Sequence, residues 1–110
     1  MKRVLFLVAV LMGSVVVPAQ AEPTKSIALV DVGVNTSLFQ NVVAEVCIVE
    51  SLTCPNGKKF MEGPGASNVG VSAVTAVNHG TNMASIINKV NPSVNLVVVR
   101  IAGLTAQGNL

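Results

Sequence analysis

Residues 78–101 read NHGTNMASIINKVNPSVNLVVVRI, and two structural periods meet inside them. Met83, Ile86, Ile87 and Val90 fall at i, i+3, i+4 and i+7, the spacing of one helical face. Asn78 stands where an N-cap belongs. Asn91-Pro92 closes the helix, because a residue before proline is pushed out of the α region. The apolar run from Leu96 to Val99 is continuous rather than alternating, which fits a strand buried on both faces of a parallel sheet. A helix feeding such a strand is the second half of a βαβ unit with a right-handed crossover.

The first half lies upstream. In SIALVDVGVN, residues 26–35, the apolar run Ile27–Val30 stops at Asp31, and Gly33 permits a sharp turn. NVVAEVCIVE, residues 41–50, is a second β-prone run. Residues 51–70 carry two prolines and four glycines, with Pro55-Asn56-Gly57 as a turn signal, and read as a long surface loop. The expected order is strand, strand, loop, helix, strand, with LTAQGNL (residues 104–110) as a closing loop. The expected fold class is α/β, a parallel sheet with a βαβ crossover.

Residues 1–21 are of another kind. Lys2 and Arg3 precede an apolar run from Val4 to Val17, followed by Pro18 and the small-x-small triplet Ala19-Gln20-Ala21. This is the layout of a secretory signal peptide cleaved after Ala21. The run is too short for a stable membrane anchor, which needs about 20 apolar residues. Beyond residue 21, five basic residues (Lys25, Lys58, Lys59, Lys89, Arg100) balance five acidic ones (Glu22, Asp31, Glu45, Glu50, Glu62). No basic field remains for nucleic acid, and 3% aromatic content offers no stacking platform. Export implies an oxidising compartment, where Cys47 and Cys54, spaced C-x6-C, form one local disulfide most simply. A zinc site is the alternative, but two cysteines and one histidine leave the ligand set incomplete. A dithiol redox pair would use a shorter spacing. No metal and no cofactor is expected.

Ligands and reacting groups of open α/β sheets gather beyond the carboxyl ends of the strands. Asp31 ends the first buried strand, and His79, the only histidine, opens the helix facing the same rim. A carboxylate accepting Nδ1–H fixes the tautomer of a histidine and leaves Nε2 free to take a proton from a hydroxyl. Alone, an aspartate at a strand end is ordinarily a turn former, and a histidine at a helix start carries little meaning. Their joint placement is what points to general-base chemistry.

IALVDVGVN with NHGTNMASII resembles the subtilisin-like serine proteases, or subtilases (peptidase S8). In that family a buried strand ends in Asp-Ser/Thr-Gly, and a later His-Gly-Thr-His-Val-Ala-Gly motif opens a helix. Asp31 and Gly33 match the first motif; His79, Gly80, Thr81 and Ala84 match the second. VNLVVVRIAGLTAQGNL resembles the family strand that packs beside the first. Residues 44–67 resemble the Cys-bearing insert of some secreted members. The resemblance implies that residues 22–110 are the N-terminal part of a doubly wound catalytic domain. It further implies that Asp31 and His79 are catalytic and that the substrate is a polypeptide.

The sequence departs from the family at several positions. Val32 replaces the hydroxyl residue, Asn82 the second histidine, Met83 the valine and Ser85 the glycine. GTNMAS also approximates the nucleophile motif Gly-Thr-Ser-Met-Ala, but Asn82 stands at the nucleophile position and cannot attack. Ser85 and Ser93, the serines after His79, lie outside any Gly-x-Ser-x-Ala context, and no motif carries an oxyanion-hole asparagine. The expectation is a serine endopeptidase by resemblance that holds Asp and His but not the nucleophile. The alternative is a non-catalytic secreted α/β module that binds a partner.

Overall fold

The computed structural model describes residues 25–70 and 75–103. The signal segment and residues 104–110 lie outside them. In chain order the elements are β1 (Ser26–Asp31), a 3-10 turn (Thr36–Leu38), β2 (Val42–Ile48), β3 (Phe60–Glu62), α1 (His79–Val90) and β4 (Asn95–Arg100). They form a small mixed α/β domain: one four-stranded sheet, ordered β1-β4-β2-β3, and one helix. β4, apolar from Leu96 to Val99, sits centrally, parallel to β1 on one side and to β2 on the other. Its register with β1 runs from Ser26↔Asn95 to Asp31↔Arg100. The expected parallel sheet is present in these three strands. β3 makes the sheet mixed, pairing antiparallel with β2 through Val46↔Glu62, Cys47↔Met61 and Ile48↔Phe60.

Burial is one-sided. β4 alternates half-buried and buried residues along its length, and in β1 only Leu29 is buried. Leu29, Leu96 and Val98 face Ala84 of the helix, with Val34 closing the cluster and Met83, Ile87, Phe39 and Val42 packed against it. Fully burying a side chain such as Leu96, Val98 or Val34 contributes about 1.5–3 kcal/mol. Val30, on the opposite face, is 56% exposed. The expected burial on both faces is therefore not found among the described residues. A continuous valine run reports β preference, and here only one layer covers it.

The helix also docks on a face rotated from the expected one. Gly80 and Ala84 are its buried residues; Ile86 is exposed and Val90 is 81% exposed. Close approach of helix to sheet selects small residues at the contact, which a count of large apolar residues overlooks. Asn91 ends the helix in extended conformation, as the following proline requires. Asn78 precedes the helix but makes no side-chain cap to it. The chain enters instead through backbone turns, Asn78 N–H to Thr75 C=O at 3.1 Å and His79 N–H to Ala76 C=O at 3.3 Å.

A second cluster, of Cys47, Val49, Cys54 and Ala66 with Met61 against it, forms around a disulfide. Cys47 and Cys54 are bonded, with Cα atoms 5.9 Å apart, and both are buried. The bond closes the loop between β2 and β3, and no cysteine remains free. The long loop is better ordered than its Gly/Pro content suggests. Glu45 Oε2 accepts from both the backbone N–H (3.1 Å) and the hydroxyl (2.9 Å) of the buried Ser67, pinning the return segment beneath β2.

Candidate functional site

Asp31 and His79 meet at the carboxyl end of the β1–β4 pair. Asp31 is the last residue of β1 and His79 the first of α1. The Nδ1–H of His79 donates to Asp31 Oδ2 at 2.8 Å, and Oδ1 lies 3.1 Å from the same nitrogen. A carboxylate is acceptor-only, so the neutral ring facing it must carry its proton on Nδ1. Asp31 Oδ1 also accepts from the N–H of Val32 at 2.8 Å, which fixes the carboxylate plane. The two side chains differ sharply in exposure: that of Asp31 is 9% exposed and that of His79 is 63% exposed. The orienting carboxylate is thus enclosed, while the ring presents its far side to open space.

The chain positions this pair by close backbone packing. Gly33 turns the chain after β1 at φ +119°, a conformation that L side chains rarely adopt. A Cβ at this position would also stand 2.7 Å from Ser67 O. Gly80 lets the first turn of α1 lie directly on the Gly33 carbonyl; a Cβ there would overlap that oxygen and stand 3.2 Å from Asp31 Cβ. Thr81 accepts the N–H of Asn35 at its Oγ1, 2.9 Å away, tying the helix start to the chain beyond the turn. Each matched glycine, and the threonine, thus has a physical task in bringing the histidine to the aspartate.

The described serines stand elsewhere. Ser85 donates its hydroxyl to the Thr81 carbonyl within the helix (3.0 Å), and Ser93 donates to Asn91 Oδ1 at the helix's other end (2.8 Å). Buried Ser67 donates to Glu45. None of the described serines forms a hydrogen bond with the His79 ring, whose bonds go to Asp31.

A concavity of about 300 Å³ adjoins the site, lined by Asn35, Thr81 and Asn82 among others. A second, of about 260 Å³, lies over β2 and the Glu62–Pro64 turn. Neither Asp31 nor His79 lines either concavity. Among the described residues no group of three or more His, Cys, Asp or Glu side chains could hold a metal ion. No helix among them is long and apolar enough to cross a membrane. The sequence reading gave no part to Asn35 or to the Glu45–Ser67 pair. Neither stands at a motif position, and both act through backbone groups that a sequence pattern does not reveal.

No protein-family model matches the chain, and neither a curated protein nor a solved structure does.

Proposed function

We propose that Asp31 and His79 are the orienting carboxylate and the general base of a serine-type endopeptidase of the subtilisin kind. The supporting observation is the 2.8 Å contact between Nδ1 and an enclosed carboxylate at the carboxyl edge of parallel strands, with the other side of the ring open. In this reading the carboxylate holds the Nδ1–H tautomer. Nε2 then takes the proton of a serine hydroxyl as it attacks a peptide carbonyl and returns it to the leaving amine. This reading requires an attacking serine and oxyanion donors from a segment outside the 110 residues, which would also extend the sheet toward a doubly wound one. The substrate is a polypeptide. The disulfide accords with export through the segment 1–21.

Two measurements test this. Nitrogen-15 NMR of the single histidine at alkaline pH reports the tautomer directly, and each ring nitrogen is distinguishable. Nδ1–H should predominate, and Asp31→Ala should move the ring toward Nε2–H, the form that free imidazole favours. Sequencing the coding region beyond Leu110 should find a Gly-Thr-Ser-x-Ala motif. A wild-type ring in the Nε2–H form, or a long downstream coding region without that motif, overturns the proposal.

A further inference from the structure

Arg100 ends β4 on the face that carries Leu96 and Val98, and it is only 4% exposed. Taking a guanidinium out of water is costly, and buried arginines ordinarily offset that cost with a carboxylate. Among the described residues none reaches it: the one ion pair there joins His79 to Asp31. Burial without a countercharge pushes the guanidinium below its ordinary pKa through desolvation. Packing alone would be served better by methionine or leucine, so the choice of arginine needs another reason.

Its hydrogen bonds supply one. Nε donates to the carbonyl of Ala102 at 2.7 Å, and Nη1 donates to the carbonyl of Asn68 at 3.2 Å. The planar fork thus joins two loops that are 32 residues or more apart in sequence. Each loop is bonded in turn to the chain beside the Asp31–Gly33 turn. From the first, Ile101 N–H donates to Asp31 C=O at 2.9 Å. In the second, Ser67 C=O accepts from Val34 N–H at 3.0 Å, and Val69 N–H donates to Val34 C=O at 3.2 Å. The aliphatic stem passes beneath the turn itself, its Cδ 3.2 Å from the Cβ position of Gly33. The carbonyl of that glycine is the surface on which Gly80 and the first turn of α1 rest.

We infer that Arg100 is a positioning residue for the Asp31–His79 pair, clamping the two loops that fix the Asp31–Gly33 turn on which the histidine's helix is seated. The significance of the clamp for catalysis rests on the function proposed above; the clamp itself is testable in the 110-residue protein. Lysine at this position keeps the charge and several donors, but they sit on one nitrogen at the end of a flexible stem and do not reproduce the rigid fork that spans the Asn68 and Ala102 carbonyls. Methionine keeps the stem and loses both bonds.

The test is the His79 tautomer ratio by nitrogen-15 NMR at alkaline pH in wild type, Arg100→Lys and Arg100→Met, with far-UV circular dichroism confirming the fold of each. Arg100→Met should shift the ratio toward Nε2–H by about tenfold, the scale of one modest hydrogen bond. Arg100→Lys should shift it by roughly threefold, a partial rescue because its donors sit on one flexible nitrogen rather than on a planar fork. A folded Met variant with the wild-type ratio overturns the inference. If the Met variant does not fold, the Lys variant decides: a ratio shifted from wild type toward Nε2–H supports the clamp, and a wild-type ratio refutes it. A wild-type protein already in the Nε2–H form sinks the proposed function instead, so the two failures are distinguishable.

Discussion

Substituting Gly80 by alanine probes the seat of the helix with a single methyl group. Two effects oppose each other. Alanine favours a helix over glycine by about 0.8–1 kcal/mol, so on propensity alone Gly80→Ala would stabilise α1. Sterically the methyl would overlap the Gly33 carbonyl oxygen and stand 3.1 Å from that carbonyl's carbon and 3.2 Å from Asp31 Cβ. Two of these three atoms are backbone and the third is a Cβ, so no flexible side-chain end can swing aside. Overpacking of this kind costs about 1–3 kcal/mol, and rigid partners put it in the upper half. The net effect is a loss of about 1–2 kcal/mol, the clash outweighing the propensity gain. Each kcal/mol lowers the melting temperature of a domain this size by roughly 4–8 °C. Relief by moving the helix start on the order of 1 Å would also carry the 2.8 Å Nδ1···Oδ2 contact beyond hydrogen-bond range. Thermal unfolding followed by circular dichroism reads the first effect, and nitrogen-15 NMR of His79 the second. A Gly80→Ala protein that melts at or above wild type with an unchanged tautomer would refute the reasoning about this seat.

Removing the disulfide as Cys47→Ala/Cys54→Ala reopens a short loop and should cost about 2.5 kcal/mol in the chain-entropy model, measured by urea unfolding; an unchanged midpoint would remove its structural role. The 110-residue polypeptide should not be labelled by a fluorophosphonate probe, because none of its described serines is hydrogen-bonded to the His79 ring that would activate it; stoichiometric labelling would reveal a nucleophile among these residues. Mass spectrometry of the exported protein should show Glu22 as its first residue, whereas Met1 retained in a membrane fraction would contradict a cleaved signal.

The elements that carry the site were legible because their signals are local. An apolar run that stops at a charge placed Asp31 at a strand end, and the onset of a 3.6-residue period after Asn78 placed His79 at a helix start. The C-x6-C spacing offered the disulfide for the same reason: its loop is short. Other features depended on partners far away in sequence. β3 is three residues long, within a Gly- and Pro-bearing stretch, and exists because β2 offers it an edge. The helix face was read from its large residues, while Gly80 and Ala84 make the contact because the sheet comes close. Asn78 fits the statistics of a cap, yet turns at Thr75 and Ala76 bring the chain into the helix. No sequence pattern marks Arg100 as buried; only the return of residues 67–69 shows what encloses it.

Among the described residues the sheet has a helix on one side only. Register and alternation put Val30, Val99, Val46, Ile48 and Phe60 together on the other side, and Val30, Ile48 and Phe60 are each more than half exposed. In colloidal terms the particle is two-faced, wetted on its helical side and poorly wetted on its strand side. With basic and acidic charges nearly cancelling over the described residues, little long-range repulsion keeps two such faces apart. The shelf life of the isolated polypeptide in solution is therefore governed by dilution more than by folding free energy.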